Sequence, residues 1–197
     1  INPGLTYSKL DWTINPVGTE ISFYEDPLFS YGVTAGIEYL QRKNFSLASE
    51  VLFYESGGKE SANDNHSGYS EPKDLKAKMQ YLSLGTYFNF NPLDRTFKIQ
   101  IQLGPRIDYI VGGYNKDPWK GYMNSRKIER FQYGFNIGLG GYYNMEKLVF
   151  GLNVKYMHKL SKIVDYQPDP WDGEYEIPSE VSDKVMLIAV LVGYKLK

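Results

Sequence analysis

From Phe97 to Val111 the chain alternates without a break. Phe97, Ile99, Ile101, Leu103, Pro105, Ile107 and Tyr109 fall on one side, and Lys98, Gln100, Gln102, Gly104, Arg106 and Asp108 on the other. Successive side chains of a strand point to opposite faces, so this pattern predicts a strand with one apolar and one polar face. A tilted strand of about ten residues is also what crosses a lipid bilayer. The same period of two recurs along the rest of the chain, and no segment shows the 3.6-residue period of an amphipathic helix. That excludes a helical bundle and an α/β architecture from the start.

Eight such blocks can be drawn: Gly4 to Trp12 (the weakest), Ser30 to Leu40, Phe45 to Glu55, Lys78 to Phe90, Phe97 to Val111, Phe131 to Tyr143, Leu148 to Tyr156, and Met186 to Leu196. Their connections alternate strictly between long and short. The short ones are Arg42-Lys43-Asn44, Asn91 to Arg95, and Asn144-Met145-Glu146-Lys147. Strands of even number joined in this way predict one domain over residues 1–197, an all-β, eight-stranded antiparallel up-and-down barrel of a bacterial outer membrane. The short turns belong on the periplasmic side and the long loops outside, with both termini periplasmic. Eight strands enclose a space just wide enough for side chains, so the lumen is expected to be plugged.

Composition agrees with export. Cysteine is absent, which excludes disulfides, thiolate metal sites and a Cys nucleophile. The net charge of -1 gives no field to recruit nucleic acid. No stretch reaches the roughly 18 to 20 apolar residues of a membrane helix, and Ile1-Asn2-Pro3-Gly4 lacks the regions of a signal peptide, so the chain reads as a mature form. Tyrosine is abundant, 18 residues against 10 Phe, as an interfacial girdle requires of a side chain with an apolar ring and a wet tip.

The sizes of the residues orient the faces. The polar faces are rich in Gly, Ser, Thr and Gln, suited to a crowded lumen. The apolar faces are bulky, with aromatics such as Tyr39, Phe45, Phe88, Phe97, Phe150 and Tyr194 beside the short turns and Tyr31, Phe53, Tyr109, Phe131 and Tyr156 toward the long loops. Two girdles with aliphatic residues between them predict an outward apolar face in contact with lipid. The inverse arrangement is a soluble lipocalin-like barrel, in which the bulky face would line a ligand cavity. On the polar faces lie Glu38, Glu50, Lys98, Arg106, Asp108 and Lys155. Enclosed in a lumen, charges of both signs must pair, because an unpaired buried charge costs several kcal/mol. These six are expected to form a structural charge network.

Short runs strung along the chain, Gly4-Leu5-Thr6-Tyr7-Ser8, Gly36-Ile37-Glu38-Tyr39, Phe45-Ser46-Leu47, Glu50-Val51-Leu52-Phe53-Tyr54, Gln80-Tyr81-Leu82, Leu103-Gly104-Pro105 and Gly193-Tyr194-Lys195-Leu196, resemble the PorT-like outer-membrane β-barrel proteins of Bacteroidota. The resemblance covers almost the whole chain in order. It implies fold and location. The family is functionally mixed, including secretion-system accessories, and it supplies no catalytic motif.

Few residues suggest chemistry. Histidine occurs only as His66 and His158. A lipid-directed hydrolase would need a Ser beside a His on the outer face, but Ser161 stands three residues from His158, on the opposite face of a strand, and Ser49 has no evident base. His66 with Asp64 or Asp165 is the conceivable protease pair. The acidic stretch Asp165, Asp169, Asp172, Glu174, Glu176, Glu180 and Asp183 offers oxygen ligands without EF-hand spacing. A near-repeat, Asp117-Pro118-Trp119-Lys120-Gly121 and Asp169-Pro170-Trp171-Asp172-Gly173, has the signature of two turns. Trp119 and Trp171 are candidate anchors for a partner, since exposed Trp is favoured at interfaces. The expectation is therefore a non-enzymatic barrel with no catalytic residue, cofactor or metal. Its partners are outer-membrane lipid and lipopolysaccharide and another envelope protein, with no nucleic acid. The alternatives are a small ligand-binding or transport barrel and a lipid-modifying enzyme.

Overall fold

The computed structural model describes residues 2–14, 21–24, 26–60, 75–94, 96–115, 129–166 and 179–195. Among these residues ten strands form one sheet: β1 (Asn2–Ile14), β2 (Ile21–Phe23), β3 (Asp26–Tyr39), β4 (Phe45–Glu60), β5 (Leu75–Asp94), β6 (Phe97–Asn115), β7 (Phe131–Asn144), β8 (Leu148–Lys159), β9 (Val164–Tyr166) and β10 (Ser179–Tyr194). Each long strand pairs antiparallel with its neighbour in sequence, and β1 pairs with β10 from Gly4 opposite Ala189 to Ile14 opposite Ser179, which closes the sheet into a barrel. The two three-residue strands extend staves of that barrel. β2 and β3 both lie against β1, parted at Tyr24, whose φ of 60° breaks the extended backbone. β9 continues the line of β8 along β10. The closed barrel therefore has eight staves, as the sequence predicts, and no residue described is helical.

All eight predicted strands are present, but most run further toward the long-loop end than the alternation indicates. β5 covers 20 residues and β6 covers 19. Toward the long loops the inward face still buries Ser56, Ala77 and Met79 while the outward face turns polar at Lys59, Lys76 and Lys78, so the apolar-out contrast fades while the hydrogen-bond ladder continues, with Ser56, Gly57, Gly58 and Lys59 opposite Met79, Lys78, Ala77 and Lys76. The turn expected over Asn91 to Arg95 is corrected in the same way. β5 continues to Asp94 through a register shift between Phe90 and Leu93, and only residues 95–96 separate it from β6.

The faces point as a lipid-embedded barrel requires. Leu5, Phe29, Ile37, Leu84, Leu103, Ile107, Leu139, Leu152 and Val190 are all exposed, Phe29 to 70%. Together they make a continuous apolar belt around the wall, far larger than the isolated patches a soluble monomer shows. Aromatic pairs bracket it: Phe45 stacks on Phe88 with ring centroids 5.8 Å apart near the short turns, and Tyr109 meets Phe131 at 4.9 Å near the long loops. The lipocalin-like inversion, with these residues lining a cavity, is not the arrangement found.

The interior is not uniformly polar. Toward the long loops it holds an apolar cluster of Leu10, Leu52, Met79, Met157, Ile163, Val181, Val185 and Leu187 around Tyr54 and Tyr81. Toward the short turns it is lined by Ser46, Asn89, Asn91, Gln100, Gln102 and Asn153, all buried. Glycine makes room for the large rings. A Cβ at Gly140 would lie 2.3 Å from the Tyr142 hydroxyl oxygen and 2.5 Å from its Cζ, so the absence of a side chain lets that ring lie flat against the wall.

Candidate functional site

The residues with chemical potential are stacked along the lumen. Alternation on β6 aims Lys98, Gln100, Gln102, Arg106 and Asp108 inward, and the opposing strands supply their partners. At the short-turn end Lys98 Nζ is 2.8 Å from Glu38 Oε1, and the Ser46 hydroxyl donates to the same carboxylate oxygen. Above it, Gln102 donates to Gln100 at 2.9 Å, and Asn153 donates to Gln102 at 2.8 Å and to the Tyr142 hydroxyl at 2.7 Å. Next, Lys155 Nζ donates to Glu50 Oε1 at 2.6 Å, with the ammonium over the Tyr87 ring. Tyr87 also donates to Glu50 and accepts from Asn136.

The most enclosed group follows. Arg106 Nη2 lies 3.1 Å from Asp108 Oδ2, and both side chains are wholly buried. The Tyr54 hydroxyl joins them, donating to Asp108 at 3.2 Å and accepting from Arg106 at 3.2 Å. Highest in the lumen, Lys159 Nζ is 2.7 Å from Asp183 Oδ1, and Ser56 donates to Asp183 Oδ2 at 2.6 Å. The Lys159 ammonium sits 3.6 Å from the centroid of Tyr81, close enough for a desolvated cation–π contact. The six charged residues singled out from sequence thus stand as three ion pairs, and the fourth pair escaped that reading. Its signal was present: Lys159 is four residues beyond Lys155 on the same face, and Asp183 shares its parity with Val185 and Leu187. The sequence groups Asp183 with the acidic loop, but it belongs to β10 and faces inward.

A fifth pair lies on the outer wall near the long loops, where Glu55 accepts from Lys78 at 3.3 Å, Gln80 at 3.0 Å and Ser30 at 3.2 Å. Also outward, the Ser49 hydroxyl hydrogen-bonds those of Tyr39 and Thr86, at 3.0 and 3.2 Å. Three hydroxyls satisfy one another there in an apolar surface. Ser161 Oγ donates to Gln132 at 2.8 Å and accepts from the backbone N–H of Tyr133 at 3.0 Å, and His158 packs on Phe135 with ring centroids 5.0 Å apart. Among the described residues no serine hydrogen-bonds a histidine, and no three His, Cys, Asp or Glu side chains cluster as a metal site. His66, Asp64, Trp119, Trp171, Asp169, Asp172, Glu174 and Glu176 lie outside the described residues.

The sequence matches the family described as outer membrane protein beta-barrel domain over residues 1–165. No curated protein sequence matches the chain. Solved structures similar to it include Ail, the attachment invasion locus protein of Yersinia pestis, at 11% identity over 98% of this chain and 97% of that one, with a TM-score of 0.37. The outer-membrane enzyme PagL aligns at 10% identity over 94% and 98%, TM-score 0.42. The outer-membrane protease OmpT of Escherichia coli aligns at 8% identity over 98% and 96%, TM-score 0.41. Two of these three are enzymes and one is not, and similarity at this level carries no inference about activity.

Proposed function

This chain belongs to the outer-membrane β-barrel domain family, and from that premise we propose that it is a non-enzymatic, non-conducting barrel serving as a scaffold or accessory subunit of an envelope complex. One observation carries the reading: the lumen is crossed by the Lys98–Glu38 and Lys155–Glu50 ion pairs, and beyond them it is packed by Arg106–Asp108 along β6, by Lys159–Asp183 between β8 and β10, and by the apolar cluster around these two. A transport barrel needs a continuous polar path or a cavity, whereas cross-lumen pairs such as Lys155 with Glu50 and Lys98 with Glu38 tie the walls together. A barrel that moves nothing through itself offers its loops and outer wall for contact.

Two measurements test this. Reconstituted into planar bilayers, the protein is expected to give no steady current, and a stable open state would contradict the reading. Purified from outer membranes in mild detergent, it is expected to bring a stoichiometric companion, released when Trp119 and Trp171 are both replaced by Ala. A barrel that always purifies alone would contradict the accessory role.

A further inference from the structure

In the seam that closes the barrel, Lys9 of β1 stands directly opposite Lys184 of β10. Both belong to the outward face, because Tyr7 and Met186, two residues nearer the short turns, are exposed to the lipid side. Like charges directly opposed on one face of an antiparallel pair repel. Asp11 lies between them, 3.5 Å from Lys9 Nζ and 3.2 Å from Lys184 Nζ. One carboxylate thus gathers two ammonium groups, leaving a positive charge uncompensated among the described groups. The lysine side chains remain 41% and 59% exposed.

The register extends the row. Lys184 is opposite His158 of β8, and His158 is opposite Phe135 of β7. The row immediately below reads Tyr7, Met186, Tyr156 and Ile137. Two lysines about 7 Å above an aromatic and aliphatic row sit where hydrocarbon gives way to headgroups. Lysine can keep its stem on the apolar surface while its ammonium reaches the polar layer. A second opposed pair, Lys59 and Lys76, likewise has one aspartate beside it, Asp26 opposite Lys59, but differs in what lies beneath: Gly57 and Lys78 occupy those positions. No apolar row underlies that pair.

We propose that Lys9 and Lys184 form a binding site for the phosphate headgroup of an outer-leaflet lipid, with the acyl chains descending over Tyr7, Met186 and Tyr156. Asp11 positions the two ammonium groups against their mutual repulsion, and the phosphate supplies the charge that the pair lacks. Farther along β10 the register sets Asp165 opposite Glu180, four residues beyond Lys184. The assignment rests on the outer-membrane reading, with the Ile14 end of β1 facing outward from the cell.

The test is native mass spectrometry of the folded protein in mild detergent, with phosphatidic acid and with phosphatidylcholine of the same acyl chains. The wild type is expected to retain phosphatidic acid selectively. In Lys9→Gln/Lys184→Gln that selectivity falls by roughly fivefold per lysine, the worth of one basic residue at an anionic surface. Lys59→Gln/Lys76→Gln keeps it, and Asp11→Asn, with both charges freed, strengthens it. Undiminished selectivity in the Lys9/Lys184 variant, equal loss in the Lys59/Lys76 variant, or loss in Asp11→Asn would overturn the site. Inorganic phosphate stabilising the wild type against heat as well as phosphatidic acid does would overturn the lipid assignment. Conductance and companion binding are read separately, so failure here is distinguishable from failure of the scaffold role.

Discussion

At the scale of single residues, the account turns on charges taken out of water. Arg106 and Asp108 are wholly buried and share Tyr54. Removing one partner strands the other, so Asp108→Ala is expected to destabilise the barrel by about 3–5 kcal/mol, whereas Arg106→Met/Asp108→Leu costs far less because no charge is left behind. Urea titration in detergent micelles distinguishes the two outcomes. Gly140→Ala is expected to cost about 1–3 kcal/mol by driving a methyl group into the Tyr142 ring, measured in the same way. Parity made Arg106 and Asp108 legible as lumen residues. It did not reveal that Tyr54 links them, because that depends on how far one side chain reaches across the barrel. Lys159 and Asp183 were harder still, since the acidic stretch ahead of Asp183 disguised a buried carboxylate as loop charge.

At the scale of the strand, the outward apolar face is what a bilayer selects. Leu103 lies midway between the girdle positions Phe97 and Tyr109 and is exposed on the outer wall. Leu103→Arg is expected to cost about 2–4 kcal/mol in a bilayer, while Tyr194→Arg, beside the turn-side interface, costs about 0–1 kcal/mol. Folding equilibria in vesicles measure the difference, and equal costs at the two positions would count against the depth assignment. The centres of the strands were legible because lipid and lumen impose opposite chemistry on alternate residues. Their loop-side ends were not, since polar side chains such as Lys59, Lys76 and Lys78 take over the outward face there while the interior turns partly apolar, which erases that contrast while backbone pairing persists.

At the scale of the whole molecule, closure is the decisive fact. Long and short connections announced neighbouring hairpins, but the seam between β1 and β10 joins residues nearly the full chain apart, and β1 has the weakest alternation of all the strands. Its inward side carries Thr6, Ser8 and Leu10, a mixed set that neither lipid nor water would select. The seam places Leu5 opposite Ile188 on the outer face. The chain has no cysteine of its own, so Leu5→Cys/Ile188→Cys is expected to cross-link within one chain under mild oxidation, seen as an altered mobility on denaturing gels. An unclosed sheet would leave both thiols free.

The most direct test of the lipid-facing, closed barrel is the gel mobility of the protein from outer-membrane fractions, loaded in mild detergent with and without boiling. The account predicts two bands, a compact form that survives without boiling and a slower, unfolded form after it. A water-soluble protein with one unchanging band would contradict it.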